Sequence, residues 1–209
     1  MINCEFCDEV KDFQSSRVGK IYSDIDTRII QESENFCVIP TIGQLIAPMF
    51  MVISKDHYDS FAEIPKELLP ECLQLLKEVE NDLGRRTILF EHGAKKTTGM
   101  ACGVYHAHMH IVTIESDFKY DELTGADALC YDSLAEALSY VKDSENYILY
   151  RDNDGAFYVN NPSKPDSDVF NSQYFRRWLV SKYKLDKDWN WRNYNDIENE
   201  LISIKQDGI

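Results

Sequence analysis

Three of the chain's five histidines fall within five residues, at His106, His108 and His110. If this stretch is a strand, alternate side chains share a face, so the three imidazoles project together while Ala107 and Met109 face the other way. A lone histidine is more often a buried structural side chain, but three histidines in alternation indicate a functional site. A neutral imidazole can bind a metal ion or attack phosphorus. The pattern therefore predicts a metal site or a nucleophile.

The pair Cys4 and Cys7 is the second chemically distinctive pattern. A Cys-x-x-Cys spacing occurs in redox pairs and in metal sites, and the spacing alone leaves both interpretations open. The other four cysteines are scattered singly in apolar or mixed contexts, which is typical of reduced core thiols. Only Cys4 and Cys7 are therefore predicted to act together as a pair.

The elements around the histidines predict an α+β fold. Two short strands are expected over 27–32 and 35–40, followed by a buried strand over 49–54. Apolar residues at helical spacing predict a long helix over 65–83, with Gly84 at its end. Strands are then expected over 87–90 and, carrying the histidines, over about 104–114.

A second α+β segment is expected after the histidine strand. It comprises a helix over 133–142, a hairpin of strands 147–151 and 156–160, and helices from about 172 and over 194–204. The expected organisation is thus a first domain over 1–115, which carries the three histidines, and a C-terminal α+β extension over 116–209 that packs on it.

Composition limits the class of partner. The formal net charge of −14 disfavours binding to a nucleic acid polymer, although a small phosphorylated substrate needs only local positive potential. Hydrophobic residues make up 44%, and no apolar run reaches the roughly 18 residues that a membrane span needs. The first residues lack the pattern of a secretory signal, so a globular cytoplasmic protein without a membrane partner is expected.

The segment His106-Ala-His-Met-His-Ile-Val112 resembles the motif of the histidine-triad family, in which three histidines alternate with apolar residues. The segment Met51-Val-Ile-Ser-Lys-Asp-His57 is similar to the family's apolar strand that ends in Pro-Lys-x-His, with Ser54 in place of the proline. The resemblance spans roughly residues 1–115. It implies an antiparallel sheet that carries the triad and packs with a long helix.

This resemblance implies that the substrate is a small nucleotide conjugate, such as a dinucleoside polyphosphate or a nucleoside phosphoramidate. His108 would attack its α-phosphate and form a nucleotidyl-histidine intermediate, and His110 would bind the phosphoryl oxygens. The intermediate leads either to hydrolysis or to transfer of the nucleotidyl group. Backbone amides near Gly103 would also donate hydrogen bonds to these oxygens. The chain differs from many relatives here, because Cys102 and Gly103 stand where those have Gln and Ser or Thr.

The resemblance to zinc-bearing members, and to galactose-1-phosphate uridylyltransferases of the same fold, also implies a metal site. Its ligands would be Cys4, Cys7, His57 and His106, which together form a closed tetrahedral site for one structural zinc per chain. Family members commonly pair through the helix and the neighbouring strand, so a homodimer is expected.

Three further residues are candidates for substrate binding. Glu91 and His92 end the strand before the triad, and Arg176 lies in the extension. Two alternatives remain open at this point: a metal-dependent hydrolase in which all three triad histidines hold a catalytic ion, and a nucleotide-binding module without turnover.

Overall fold

A computed structural model describes residues 4–84, 86–95, 104–113, 127–161 and 172–194. Within these residues the strands form one antiparallel sheet in the order β1-β2-β3-β5-β4-β7-β8-β6. In chain order they are β1 (Gln31–Glu32), β2 (Phe36–Pro40), β3 (Met49–Ser54), β4 (Ile88–Ala94), β5 (His108–Val112), β6 (Leu129–Tyr131), β7 (Asn146–Arg151) and β8 (Phe157–Asn160).

Helices cover both faces of this sheet. On one face lie Leu69–Asp82 and Leu134–Val141, whose apolar side chains join the largest buried cluster. The opposite face carries Glu5–Lys11 and Tyr174–Tyr183, and the short helix Arg17–Ile21 lies beside them. Short 3-10 turns occupy Phe13–Ser15, Phe61–Glu63, Lys66–Leu68 and Trp191–Asn193. The α+β class predicted from the sequence is confirmed.

Alternation along the central strands sorts side chains between the two faces. Met109 and Ile111 of β5 join the cluster under the long helix, whereas His108 and His110 project from the other side. All six residues of β3 are buried because helices or chain segments cover both of its faces. The sheet thus presents the two histidines to a layer built from the N-terminal and C-terminal segments.

The long helix forms where its apolar spacing predicts it. Leu69–Asp82 buries one stripe of side chains against the sheet: Leu69, Cys72, Leu75, Leu76 and Val79. Gly84 follows with φ of 65°, a left-handed conformation that glycine adopts without steric cost and that ends the helix. The strand over 49–54 also has the predicted bounds.

The strands of the extension continue the same sheet. β4 pairs with β5 on one side and with β7 on the other, over Leu89 to Ala94. Close approach is possible because Gly93 has no side chain: a Cβ there would lie 2.1 Å from the Cζ atom of Tyr147. A boundary near residue 115 would fall within this one sheet, and the division into two domains stays a prediction.

Several expected elements differ from those observed or lie outside the described residues. The first strand covers only Gln31–Glu32, and the histidine strand begins at His108 rather than at 104. His106 precedes it because its N–H donates to the carbonyl of Val104 and not to a neighbouring strand. The helix expected over 194–204 lies outside the described residues, apart from Tyr194. No helix among the described residues has the length and apolar character to cross a membrane.

Candidate active site and metal centre

Four side chains from three separate parts of the chain meet at one point. The nearest ligand atoms of Cys4, Cys7, His57 and His106 all lie within 4.8 Å of one another. Sγ of Cys4 is 3.3 Å from Nδ1 of His106, and Sγ of Cys7 is 3.3 Å from Nδ1 of His57. Bonds of about 2.3 Å to sulfur and 2.0 Å to nitrogen separate tetrahedral ligands by roughly 3.3–3.8 Å. The group therefore could hold one metal ion.

The two histidine rings are already oriented for such an ion. The Nε2 atom of His106 lies 2.7 Å from the carbonyl oxygen of Ser54, and that of His57 lies 3.4 Å from Oδ1 of Asp59. With Nε2 facing an acceptor, the lone pair of Nδ1 faces the two cysteines, as metal-binding histidines require. Burial lowers the pKa of His106 to about 4, so its ring is neutral at neutral pH.

The candidate metal cluster of Cys4, Cys7, His57 and His106 ties the first helix to the histidine strand. Cys4 caps the Glu5–Lys11 helix and Cys7 lies within it, while His106 stands two residues before β5. Between the two cysteines, Phe6 packs edge-on against the rings of His106 and His108, with centroids 5.6 and 5.4 Å apart. The position of His108 therefore depends on the same helix that supplies the sulfur ligands.

His108 is held by the backbone that precedes it. Its Nδ1 atom lies 2.6 Å from the carbonyl oxygen of His106, so Nδ1–H donates and Nε2 carries the free lone pair. Burial lowers the pKa of His108. The neutral ring has the tautomer that a nitrogen nucleophile needs.

His110 lies beside His108 on the same face. Their ring centroids are 5.6 Å apart, and the ring of Phe90 stacks on His110 at 4.8 Å. Burial, then the neighbouring His108 and Arg176, hold the pKa of His110 well below its ordinary value. Its Nδ1 atom is buried without a hydrogen-bond partner among the described residues, so it can serve an additional ligand.

Both histidines face a largely apolar cleft between the Glu5–Lys11 helix, the sheet and the Tyr174–Tyr183 helix. The cleft encloses about 80 Å³, several times the space that one water molecule needs. His92 lines it as predicted, and its Nε2 atom lies 2.7 Å from Oδ1 of Asn146. Burial lowers the pKa of His92 to about 4. The site is therefore concave and apolar with a few polar groups, as small-molecule sites usually are.

Arg176 of the extension also reaches this cleft. Its Nε donates to the carbonyl of Trp189 at 2.6 Å and its Nη2 to that of Gly43 at 2.8 Å. Its Nη1 is buried and has no hydrogen-bond partner in the described part of the chain. The structure thus brings Arg176 together with His92, His108 and His110.

One predicted substrate-binding residue, Glu91, is not brought to the cleft. Glu91 lies on the opposite face of β4, buried under the sheet, where it accepts hydrogen bonds from the Phe61 N–H at 2.8 Å and the Tyr147 hydroxyl at 2.6 Å. The reason is strand alternation: Phe90 and His92 face the cleft, so Glu91 cannot. Gly103 lies outside the described residues.

One polar pair at the cleft was missed from the sequence. Arg28 and Glu9 both line it, are almost fully buried, and form a two-pronged ion pair with N···O distances of 2.6 and 2.8 Å. The remaining terminal nitrogen of Arg28 donates to the carbonyl of Pro40 at 2.7 Å. The only signal in the sequence was an arginine within an apolar stretch predicted to be a strand.

Comparisons with known proteins give structural matches only. No family model matches the chain, and no curated protein matches it. A solved histidine-triad family hydrolase from Clostridium thermocellum is 21% identical, with 57% of this chain and 98% of that one covered, at a TM-score of 0.43. A histidine-triad-like protein is 26% identical over 46% of this chain and 94% of that one, with a TM-score of 0.37.

A third solved structure, described as a hypothetical histidine-triad nucleotide-binding protein from Sulfolobus tokodaii, is 19% identical. The match covers 56% of this chain and 73% of that one, at a TM-score of 0.38. All three of these structures carry names of the histidine-triad family, whose motif residues 106–112 resemble.

Proposed function

We propose that this chain is an enzyme that cleaves a nucleotide conjugate at its α-phosphate through a covalent intermediate on His108. The observation that carries the proposal is the 2.6 Å contact between Nδ1 of His108 and the carbonyl oxygen of His106. This hydrogen bond leaves the Nε2 lone pair as the nucleophile, on the face of the sheet that borders the cleft.

The proposed reaction has two steps. In the first, Nε2 of His108 forms a bond to the α-phosphorus while the bond between that phosphorus and the leaving group breaks, and the leaving group takes the electron pair. His110 would donate a hydrogen bond to the phosphoryl oxygens, where negative charge increases. In the second step the oxygen of water or of another acceptor bonds to the phosphorus and loses its proton. The bond between phosphorus and Nε2 of His108 breaks, which restores the neutral imidazole.

The metal in this proposal is one structural zinc. With Cys4, Cys7, His57 and His106 as ligands the ion has no open position, so its chemistry is to fix these residues. Because the carbonyl of His106 also holds His108, the ligand set contributes to orienting the nucleophile.

The test uses the variant His108→Ala with His108→Asn as a second form that retains a polar side chain. Incubation of the unaltered protein with a panel of labelled nucleotide conjugates, followed by a quench, should give a nucleotide mass on the peptide that contains His108. Either variant should lose that mass and reduce turnover on the order of 10⁴-fold, with zinc content and thermal unfolding unchanged.

Near-normal turnover by His108→Ala would contradict the proposal. Loss of metal together with activity in that variant would favour the metal-dependent hydrolase, in which all three triad histidines are ligands. Nucleotide binding without turnover by the unaltered protein would favour a binding module. The orientation of His106 toward the cysteines, while His108 and His110 border the cleft, argues against the shared catalytic ion.

A further inference from the structure

The two buried arginines at the cleft differ in how their charge is neutralised. Arg28 forms the two-pronged ion pair with Glu9 described above. Arg176 is 3% exposed, yet its hydrogen-bond partners are the neutral carbonyls of Gly43 and Trp189. Among the described residues no carboxylate lies within 4.0 Å of Arg176. The same cleft therefore holds one neutralised cation and one without an adjacent counter-ion.

Arg176 is a buried cation, and the nearby Asp188 acts on it without forming an ion pair. Burial lowers the pKa of Arg176 to about 10, so the guanidinium stays charged at neutral pH. Removing such a charge from water is costly, and an anion seated in the cleft would offset that cost. The unpartnered Nη1 and the unpartnered Nδ1 of His110 are the donors that such an anion would use.

We propose that Arg176 binds a second phosphoryl group beside the one that His108 attacks, and that it selects conjugates of two or more phosphates over nucleoside phosphoramidates. This inference rests on the proposed function. When the leaving group is a phosphate, the breaking P–O bond places its electron pair on an oxygen that a guanidinium stabilises. The amine that leaves a phosphoramidate gains no comparable charge.

The arrangement of donors supports a chain of phosphates over a single one. His108 and His110 project from β5, whereas Arg176 projects from the Tyr174–Tyr183 helix on the opposite wall. Arg177 follows on that helix but does not line the cleft, so Arg176 supplies the positive charge that this helix brings to the cleft. Donors for two phosphoryl groups thus come from two elements, β5 and the Tyr174–Tyr183 helix.

The first test measures binding, with inorganic pyrophosphate as the probe. Trp191 lines the cleft, so quenching of tryptophan fluorescence can follow the titration. Arg176→Gln should weaken pyrophosphate binding about 10- to 100-fold, the usual value of a hydrogen bond to a charged group. Arg176→Lys keeps the charge and should weaken it less. The control Lys182→Gln removes a charge from an exposed position of the same helix and should leave binding unchanged.

The second test measures selectivity as the ratio of kcat/KM for a dinucleoside polyphosphate to that for a phosphoramidate of the same nucleoside. Arg176→Gln should lower this ratio about 10- to 100-fold. An unchanged ratio, or pyrophosphate binding equal to that of the unaltered protein, would overturn the inference. If no nucleotide is turned over, the proposed function fails, while pyrophosphate binding still decides the role of Arg176. Should Arg176→Gln not fold, Arg176→Lys carries the test: the loss of the guanidinium fork should lower both pyrophosphate affinity and the ratio by less than about 10-fold, and two unchanged values would overturn the inference.

Discussion

His106 serves two sites at once. Its Nδ1 atom lies 3.3 Å from the Cys4 sulfur, and its carbonyl oxygen accepts the hydrogen bond from Nδ1 of His108. The ring and the backbone of one residue thus join the metal cluster to the proposed nucleophile. A substitution removes only the ring, so any effect on His108 must pass through a displacement of the backbone.

We therefore expect His106→Ala and His108→Ala to differ. His106→Ala removes a ligand and should lower the metal content below about one ion per chain and reduce the thermal stability. It should also lower turnover by about 10- to 100-fold. His108→Ala should affect turnover alone. Metal analysis and thermal unfolding of both variants, beside His57→Ala as a second ligand variant, make the comparison. Full metal retention by both ligand variants would contradict the assigned cluster.

Glu91 predicts a pH dependence of stability. Burial raises the pKa of this carboxyl to about 8 in the folded protein, against an ordinary value of 4.5. Between these values the folded state holds a proton that the unfolded state has lost, so the free energy of unfolding falls as the pH rises. One proton contributes up to about 1.4 kcal/mol per pH unit.

The variant Glu91→Gln mimics the protonated form and should flatten that dependence. Denaturant unfolding from pH 5 to 8 should show the free energy of unfolding of the unaltered protein falling relative to that of Glu91→Gln. The matched control Glu136→Gln changes a carboxyl at the first turn of a helix and should keep the slope. Parallel curves for Glu91→Gln and the unaltered protein would show that the carboxyl ionises normally.

At the scale of elements, the sequence predicted best where one pattern decided the structure. The apolar run of β3 and the helical spacing of Leu69–Asp82 were sufficient, because both elements pack on a single large core. The four candidate metal ligands lie close to one another, and His92 and Arg176 line the cleft. Whether these residues act as proposed stays a prediction.

Where long-range contacts decide the structure, the sequence patterns did not predict the position of a residue correctly. Glu91 was predicted to bind substrate as a residue at the end of its strand; in fact β4 continues to Ala94, and alternation turns Glu91 away. His106 lies outside β5 because its local contacts are with Val104 and the metal cluster. The Glu5–Lys11 helix has only seven residues and packs through the cluster, so its local periodicity is weak.

The metal ligands should matter most for that first helix. A chain with Cys4→Ser and Cys7→Ser should lose its zinc and a few kcal/mol of stability, since binding of the metal is linked to folding. Limited proteolysis should then cut within residues 4–21 first. The control Cys130→Ser changes an exposed cysteine and should keep both properties. Zinc retention by the double variant would exclude these cysteines as ligands.

At the scale of the whole molecule, the extension occupies an edge of the sheet. β7 pairs with β4 over six residues, and Ile148, Tyr150, Phe175 and Leu179 cover Ile88 and Phe90. The predicted homodimer would therefore need a surface other than the β4 edge. Light scattering should give twice 24.3 kDa if the homodimer forms, and 24.3 kDa would contradict it.

Removal of the extension should expose that edge. A fragment of residues 1–115 would leave the hydrogen-bonding groups of β4 unpaired and the apolar side chains of Ile88 and Phe90 in water, which favours aggregation. We expect the fragment to elute from size-exclusion chromatography as aggregates, whereas the full chain elutes as a single species. A stable fragment of one defined mass would support an independent domain over 1–115.

The pairing of β4 with β7 also bears on how a ligand enters. The Tyr174–Tyr183 helix packs on the strands of this pair, so moving it outward would expose the apolar side chains of Ile88, Phe90 and Ile148 to water. Hydrogen–deuterium exchange should find the β4 and β7 amides opening only with global unfolding. The amides of the Trp191–Asn193 turn should exchange much faster. Pyrophosphate should slow exchange in this turn and leave exchange in β4 and β7 unchanged. The rate at which a ligand reaches the buried imidazoles would then be limited by the opening of this short turn.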